Sequence, residues 1–253
     1  MKKSFLLMSS ACILGGMMFF TSCGKDEDNS SSSCGESGLA DNKLVVQVVN
    51  GNAYNEEIDE VKLVDGYLYG EDNIFSSTLY RGGGFTLELP KIADKYLYPI
   101  LYVGENSEGV VVTDNLIISN RNVKGLECFV TAHKNGVNPS IGGFFYASSD
   151  NYYETGFVGG TGGYLLYVDR DVTITGTISF KYNNDNVTLI NNYNCSLKKG
   201  WNIVYHKMTE TANIMTMEIT TQKPNIELKW YYESDYDSNY DAPSKKAKRS
   251  SLF

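Results

Sequence analysis

Val172-Thr173-Ile174-Thr175-Gly176-Thr177-Ile178-Ser179-Phe180 alternates apolar and hydroxyl side chains. In an extended strand successive side chains point to opposite faces, so Val172, Ile174, Ile178 and Phe180 share one face while Thr173, Thr175, Thr177 and Ser179 share the other. One face is buried and one is wet. Asn183-Asn184-Asp185-Asn186 then marks a turn into Val187, Leu189, Tyr193 and Cys195, and Lys198-Lys199-Gly200 marks another into Trp201, Ile203 and Tyr205. Runs at 214–221 and 226–232 complete the series. Short strands with turn signals at this spacing predict an antiparallel meander packed as a sandwich or barrel.

The pattern extends toward the N-terminus. Leu44, Val46 and Val48 alternate with Val45, Gln47 and Val49, a second run covers 61–64, and Phe85, Leu87 and Leu89 follow the turn Arg81-Gly82-Gly83-Gly84. Further strands are expected at 125–131, 141–147 and 164–168. No stretch sustains a 3.6-residue period, and the only helical turn expected lies near 92–96. With 19 tyrosines and 24 glycines against five prolines, composition also favours strands and tight turns. The fold class expected is all-β, an antiparallel β-sandwich of one or two modules, with spans 43–117 and 118–233 and a soft boundary near 115–122.

Outside that body the chain reads as an address. Lys2 and Lys3 precede an uncharged apolar run at 5–20, too short for a confident span, which wants about 20 residues. Residues 1–22 are therefore expected to be a signal peptide. Thr21-Ser22-Cys23 then resembles the processing site of bacterial lipoproteins, a likeness that implies acylation of Cys23. The following Lys25, Asp26, Glu27 and Asp28 resemble the acidic export tract found in lipoproteins of Bacteroides and its relatives, which implies the outer membrane and display on the cell exterior. Several acyl chains hold such a protein at the membrane without a spanning helix. Residues 23–42, rich in serine and acids, read as a flexible tether, and 234–253 as a polar tail expected to be disordered.

Two weaker likenesses bear on fold. Residues 57–63, followed by Gly84-Phe85-Thr86-Leu87-Glu88-Leu89-Pro90, resemble the transthyretin-like or carboxypeptidase-regulatory β-sandwich over about 44–104. Residues 169–205, with Gly200-Trp201-Asn202 after the lysine turn, resemble the end of uncharacterised secreted β modules of Bacteroides-type bacteria. Neither resemblance brings an activity with it.

Charge and motif exclude several functions. Loss of residues 1–22 removes two of the 22 basic residues and none of the 30 acids, so the mature chain is strongly anionic and nucleic acid is not an expected partner. Gly159-Gly160-Thr161-Gly162-Gly163 lacks the following lysine of a phosphate loop and leads into strand-like sequence, so a flexible hairpin is expected. His133 and His206 belong to no local nucleophile or metal motif, and each is expected to be a surface or hydrogen-bonded histidine. Asp235, Asp237, Asn239 and Asp241 alternate oxygens like the opening of a calcium loop, but Tyr240 stands where that loop needs glycine and Lys246 where it needs glutamate. A solvated tail is the better reading, and no cofactor is expected. Cys128 and Cys195 are either a disulfide or two buried thiols. Loop aromatics remain: Tyr152, Tyr153, Trp230 and Tyr232, with the asparagines of 183–194, are the candidates for stacking on and bonding a sugar. The expected function is a displayed, non-catalytic β body that binds glycan or another host component. The alternatives are a subunit of a surface complex or fimbria-like assembly, and a hydrolase whose site the sequence does not reveal.

Overall fold

The structure, a computed structural model, describes residues 38–40, 42–65, 73–100, 110–137, 140–149, 158–182 and 187–234. These residues form an all-β protein. The strands are β1 (Gly38–Ala40), β2 (Lys43–Gln47), β3 (Glu60–Asp65), β4 (Ile74–Leu79), β5 (Gly84–Glu88), β6 (Tyr98–Pro99), β7 (Val110–Asp114) and β8 (Ile117–Ile118). They continue with β9 (Lys124–His133), β10 (Gly142–Ala147), β11 (Thr161–Val168), β12 (Val172–Tyr182), β13 (Val187–Leu197), β14 (Gly200–Thr211), β15 (Ile214–Thr220) and β16 (Lys229–Ser234). Short 3-10 turns at Gly51–Tyr54 and Asp94–Tyr96 are the only helical elements among the described residues, the second lying where a turn was expected.

A small sheet, β1-β2-β5, faces a long second sheet across an apolar core. Leu44 and Val46 of β2 and Phe85 and Leu87 of β5 meet Val61 and Leu63 of β3, Leu126 and Val130 of β9, and Phe144 of β10. The sides of this sandwich are tied. Ser76 Oγ of β4 donates to the Glu88 carbonyl of β5 at 2.6 Å, and Val48, just past β2, bridges Trp230 of β16.

A second core lies on the other side of β11 and β14. Leu165 and Tyr167 enter the first core, whereas Leu166 and Val168 enter the second with Val172, Ile174 and Ile178 of β12, Tyr193 and Cys195 of β13, and Ile219 of β15. Burial on both faces explains why 164–168 is almost continuously apolar. The alternation in β12 is as read: Val172, Ile174 and Ile178 are buried and Thr175 is exposed.

The pairing of the C-terminal strands differs from a meander. β12 and β13 form the expected antiparallel hairpin, but β14 leaves β13 to pair with β11, and β15 inserts between them, parallel to β13 and antiparallel to β14. The reason is burial. By crossing to β11, β14 places Trp201, Ile203 and Tyr205 against the first core and Val204 and Met208 in the second, which a plain hairpin on β13 cannot do. Trp201 Nε1 also donates to the Pro90 carbonyl at 2.8 Å.

Strands from both sides of the boundary expected near 117 share one sheet: β3 and β6 pair with β9, and β7 with β12. Residues 38–40, expected to belong to the tether, instead form β1 and pair with β2. The glycine run at 159–163 is a turn followed by the start of β11, the second arm of an antiparallel pair with the preceding β10. Gly159 has a positive φ of 76°, and β11 starts at Thr161. A Cβ on Gly163 would lie 3.1 Å from the ring of Tyr146 and 3.3 Å from that of Tyr205, so its hydrogen lets both rings cross the strand.

Cys128 and Cys195 are free thiols, buried in different cores. Burial pushes both thiols above their ordinary range, so neither is a ready nucleophile. We expect reducing agent to leave the melting temperature unchanged and both thiols to react with a thiol reagent only on unfolding. A reductant-induced fall in the melting temperature would contradict this assignment.

Candidate functional site

A cleft of about 1050 Å³ opens at the seam where the small sheet meets β16. Gln47 to Ala53 form one wall, Lys223 and 226–229 form the other, and Tyr146 lines it as well. The first wall is held by the glycine turn at 81–84. Val48 N and Gln47 Nε2 both donate to the Gly83 carbonyl at 3.0 Å, Gly83 N donates to Asn55 Oδ1 at 3.1 Å, and Tyr80 Oη donates to the Gly51 carbonyl at 2.9 Å. Gly51 has to be glycine, since a Cβ there would lie 2.0 Å from the Gly83 oxygen. Asn50 turns the chain in the left-handed region at φ 55°, a conformation asparagine tolerates better than most residues. The result is a fixed rim carrying the exposed amides of Asn50 and Asn52.

The opposite wall starts beside Gln222, whose N donates to Thr220 Oγ1 at 3.0 Å, and ends on β16, which pairs with β10 along its whole length. Ile226 is 46% exposed, Glu227 Oε2 lies 3.1 Å from Lys229 Nζ, and Lys223 makes no ion pair among the described residues. Hydrogen-bonding side chains therefore face one another across a partly apolar floor.

Glu227 is the only carboxylate among the described lining residues, which include no histidine, cysteine, serine or threonine. Glycoside hydrolysis by the common route uses two carboxyl groups flanking the bond, and acyl transfer needs an activated nucleophile. Neither set occurs among the described lining residues. No group of three or more metal-ligating side chains occurs among the described residues.

Two of the four aromatic candidates, Trp230 and Tyr232, are described, and both pack internally. Trp230 is only 5% exposed and stacks on Tyr146 with ring centroids 5.3 Å apart, so it backs the cleft as core and offers no face to a sugar. Tyr232 packs edge-on against Tyr54 at 4.9 Å, and its hydroxyl is within hydrogen-bonding range of Glu57 Oε1 and the Ile141 carbonyl. Both are used internally because β16 is zipped to β10. Of the asparagines at 183–194, Asn191 is fully buried and Asn192 Oδ1 accepts from Thr177 Oγ1 at 2.9 Å. Tyr152, Tyr153, the anchor residues Cys23, Lys25, Asp26, Glu27 and Asp28, and the calcium candidates Asp235, Asp237, Asn239 and Asp241 lie outside the described residues.

His133 is the residue that most invites a catalytic reading, and its hydrogen bonds argue against one. Lys62 Nζ lies 3.5 Å from Nδ1, and Thr131 Oγ1 lies 2.9 Å from Nε2. An ammonium has only donors, so Nδ1 accepts and Nε2 carries the proton and donates to Thr131. The threonine hydroxyl in turn points at the Lys62 carbonyl, 3.4 Å away. This polarity is the reverse of a base that takes a proton from a nucleophile. Burial holds His206 down to about 4, so it is neutral at ordinary pH.

Glu127 stands directly opposite Leu166 in the β9–β11 ladder, on the same face as that fully buried side chain. Desolvation pushes its carboxyl up to about 7. Because the folded value exceeds the unfolded one of about 4.3, the folded state holds this proton more tightly. Its contribution to stability is thus full below about pH 4 and is lost as pH rises through 7. The carboxyl keeps some solvent contact, so we discount the loss to about 2 kcal/mol between pH 4 and 8. Glu127→Gln should match the wild type at pH 4 and exceed it at pH 8 in urea unfolding. Equal stability at both pH values would refute the assignment.

Compared with protein-family models, curated proteins and solved structures, the chain has no match in any of the three.

Proposed function

We propose that this chain is a lipid-anchored outer-membrane protein, displayed on the cell exterior, whose non-catalytic β body binds carbohydrate in the cleft between 47–53 and 223–229. One observation carries the reading: a concave site of ligand size with amides, an ammonium and an ion pair on a fixed frame, whose described lining holds one carboxylate and no serine, threonine, cysteine or histidine. Asn50 has an acceptor and two donors to offer, and Asn52, whose Oδ1 takes one bond from Asn55 Nδ2 at 3.4 Å, keeps two donors and a second lone pair, the combination that neighbouring sugar hydroxyls require. Ile226 and Ala53 supply apolar contact for the carbon faces of the ring. Cys23 supplies the anchor in this account, and the residues between it and β1 carry the body clear of the membrane.

Affinity electrophoresis against a panel of neutral and acidic polysaccharides tests the binding. Retardation by at least one member is expected, with a loss of about tenfold in the double variant Asn50→Ala/Asn52→Ala, since each lost amide costs roughly 0.5–1.5 kcal/mol. No retardation anywhere on the panel would sink the proposal. Metabolic labelling with a clickable fatty acid tests the anchor separately; label that survives Cys23→Ala would refute it.

A second reading, assembly with other surface proteins, is favoured by the far end of the long sheet. Edge strand β7 leaves Val111 49% exposed, and Ile117 of β8 is 74% exposed. Such an edge is suited to pairing with another strand. Crosslinking in cells that traps a defined neighbour, lost in Val111→Lys, would support it over carbohydrate binding.

A further inference from the structure

We infer that the cleft selects an acidic sugar, a residue bearing a carboxylate, and that Lys223 reads that charge. This rests on the carbohydrate reading above. The two lysines of the cleft differ in what they already do. Lys229 Nζ is spent on Glu227 at 3.1 Å, whereas Lys223 is exposed and has no acidic partner among the described residues. With one carboxylate against two ammonium groups, the described lining has an excess of one positive charge.

That excess stands out on a chain of net charge -8. Long-range repulsion of an anionic polymer works against the inference, but it is largely screened beyond about 8 Å at physiological salt, and the groups in direct contact then decide. Pro224 follows Lys223 and biases its backbone toward extended conformations, which limits how far the ammonium can be carried from the wall. An ammonium is a compact charge with three donors, able to hold one carboxylate oxygen and still bond a hydroxyl. Asn50 and Asn52 on the facing rim then take the hydroxyls of the same or the next ring. A neutral sugar satisfies the amides and leaves Lys223 with nothing it does not already get from water.

Polygalacturonate and its methyl ester test this, because esterification removes the charge and keeps the ring hydroxyls. The mature chain in detergent and its Lys223→Gln variant are run on gels containing either polymer, or neutral dextran, at low and at high salt. The wild type is expected to bind polygalacturonate about fivefold to tenfold more tightly than the ester, with the preference shrinking at high salt. Lys223→Gln should bind the two alike. A wild type that binds the ester or dextran as tightly as polygalacturonate overturns the inference and leaves carbohydrate binding standing, as does retention only by other neutral polysaccharides. A preference that survives in Lys223→Gln overturns the assignment to this lysine. No retention by any polysaccharide overturns both.

Discussion

Leu166→Ala is expected to destabilise the protein by about 3–4 kcal/mol, the middle of the range for truncating a fully buried leucine. Leu166 has no exposed surface and sits on β11, which runs between the two cores, with Leu165 and Tyr167 facing the other way. β11 is hydrogen-bonded to β9, β10 and β14, so the strand cannot shift to fill the space left by the missing methyls. A loss of that size is a large part of a typical total of 5–15 kcal/mol. Urea unfolding should show a midpoint far below that of the wild type with the slope preserved. A loss under about 1 kcal/mol would mean that the second core is not packed against β11.

Gly176→Ala is the second large effect, about 2–3 kcal/mol, and arises in the backbone. Gly176 has φ 109°, a conformation that L side chains rarely adopt, and a Cβ there would lie 2.4 Å from the Asn115 carbonyl oxygen. The chain between β7 and β8 passes over β12 at this point, with Asn115 N donating to the Thr177 carbonyl at 2.9 Å. Gly136→Ala is the control. It shares a positive φ of 79° but meets nothing within 4 Å, so it reports conformational strain alone, about 1 kcal/mol. Equal losses in the two variants would argue that the corner at 115–116 does not press on β12.

The alternation in 172–180 identifies a half-buried strand because period-two burial is a local signal, and the same is true of 44–49 and 85–89. Gly176 shows where that reading runs out. It keeps the strand's parity, but its left-handed backbone answers to Asn115, which sequence does not place beside it. The Lys198-Lys199-Gly200 turn is a comparable case. Its local chemistry predicts a hairpin, whereas the burial available to Trp201 and Tyr205 against the first core draws β14 away and opens the slot that β15 fills in parallel.

The site was less legible than the fold. Trp230 and Tyr232 are recognisable as strand aromatics, but only their pairing partners decide whether they face solvent, and β10 takes both. Asn50, Asn52 and Lys223 carry no motif. The Val49-Asn50-Gly51-Asn52 turn and the Lys223-Pro224 corner lie far apart in the chain, and the parallel bridge from Val48 to Trp230 brings them together. Hydrophobic patterning places strands; it is silent on which loops meet at a seam.

Hydrogen exchange on the protein saturated with a polysaccharide that retains it tests the central claim most directly. Slowed exchange confined to peptides covering 47–53 and 223–229, with little change along β7, β8 and β12, is the predicted result. Protection elsewhere, or none in those two segments while the polysaccharide is bound, would contradict the assignment of the cleft as the binding site.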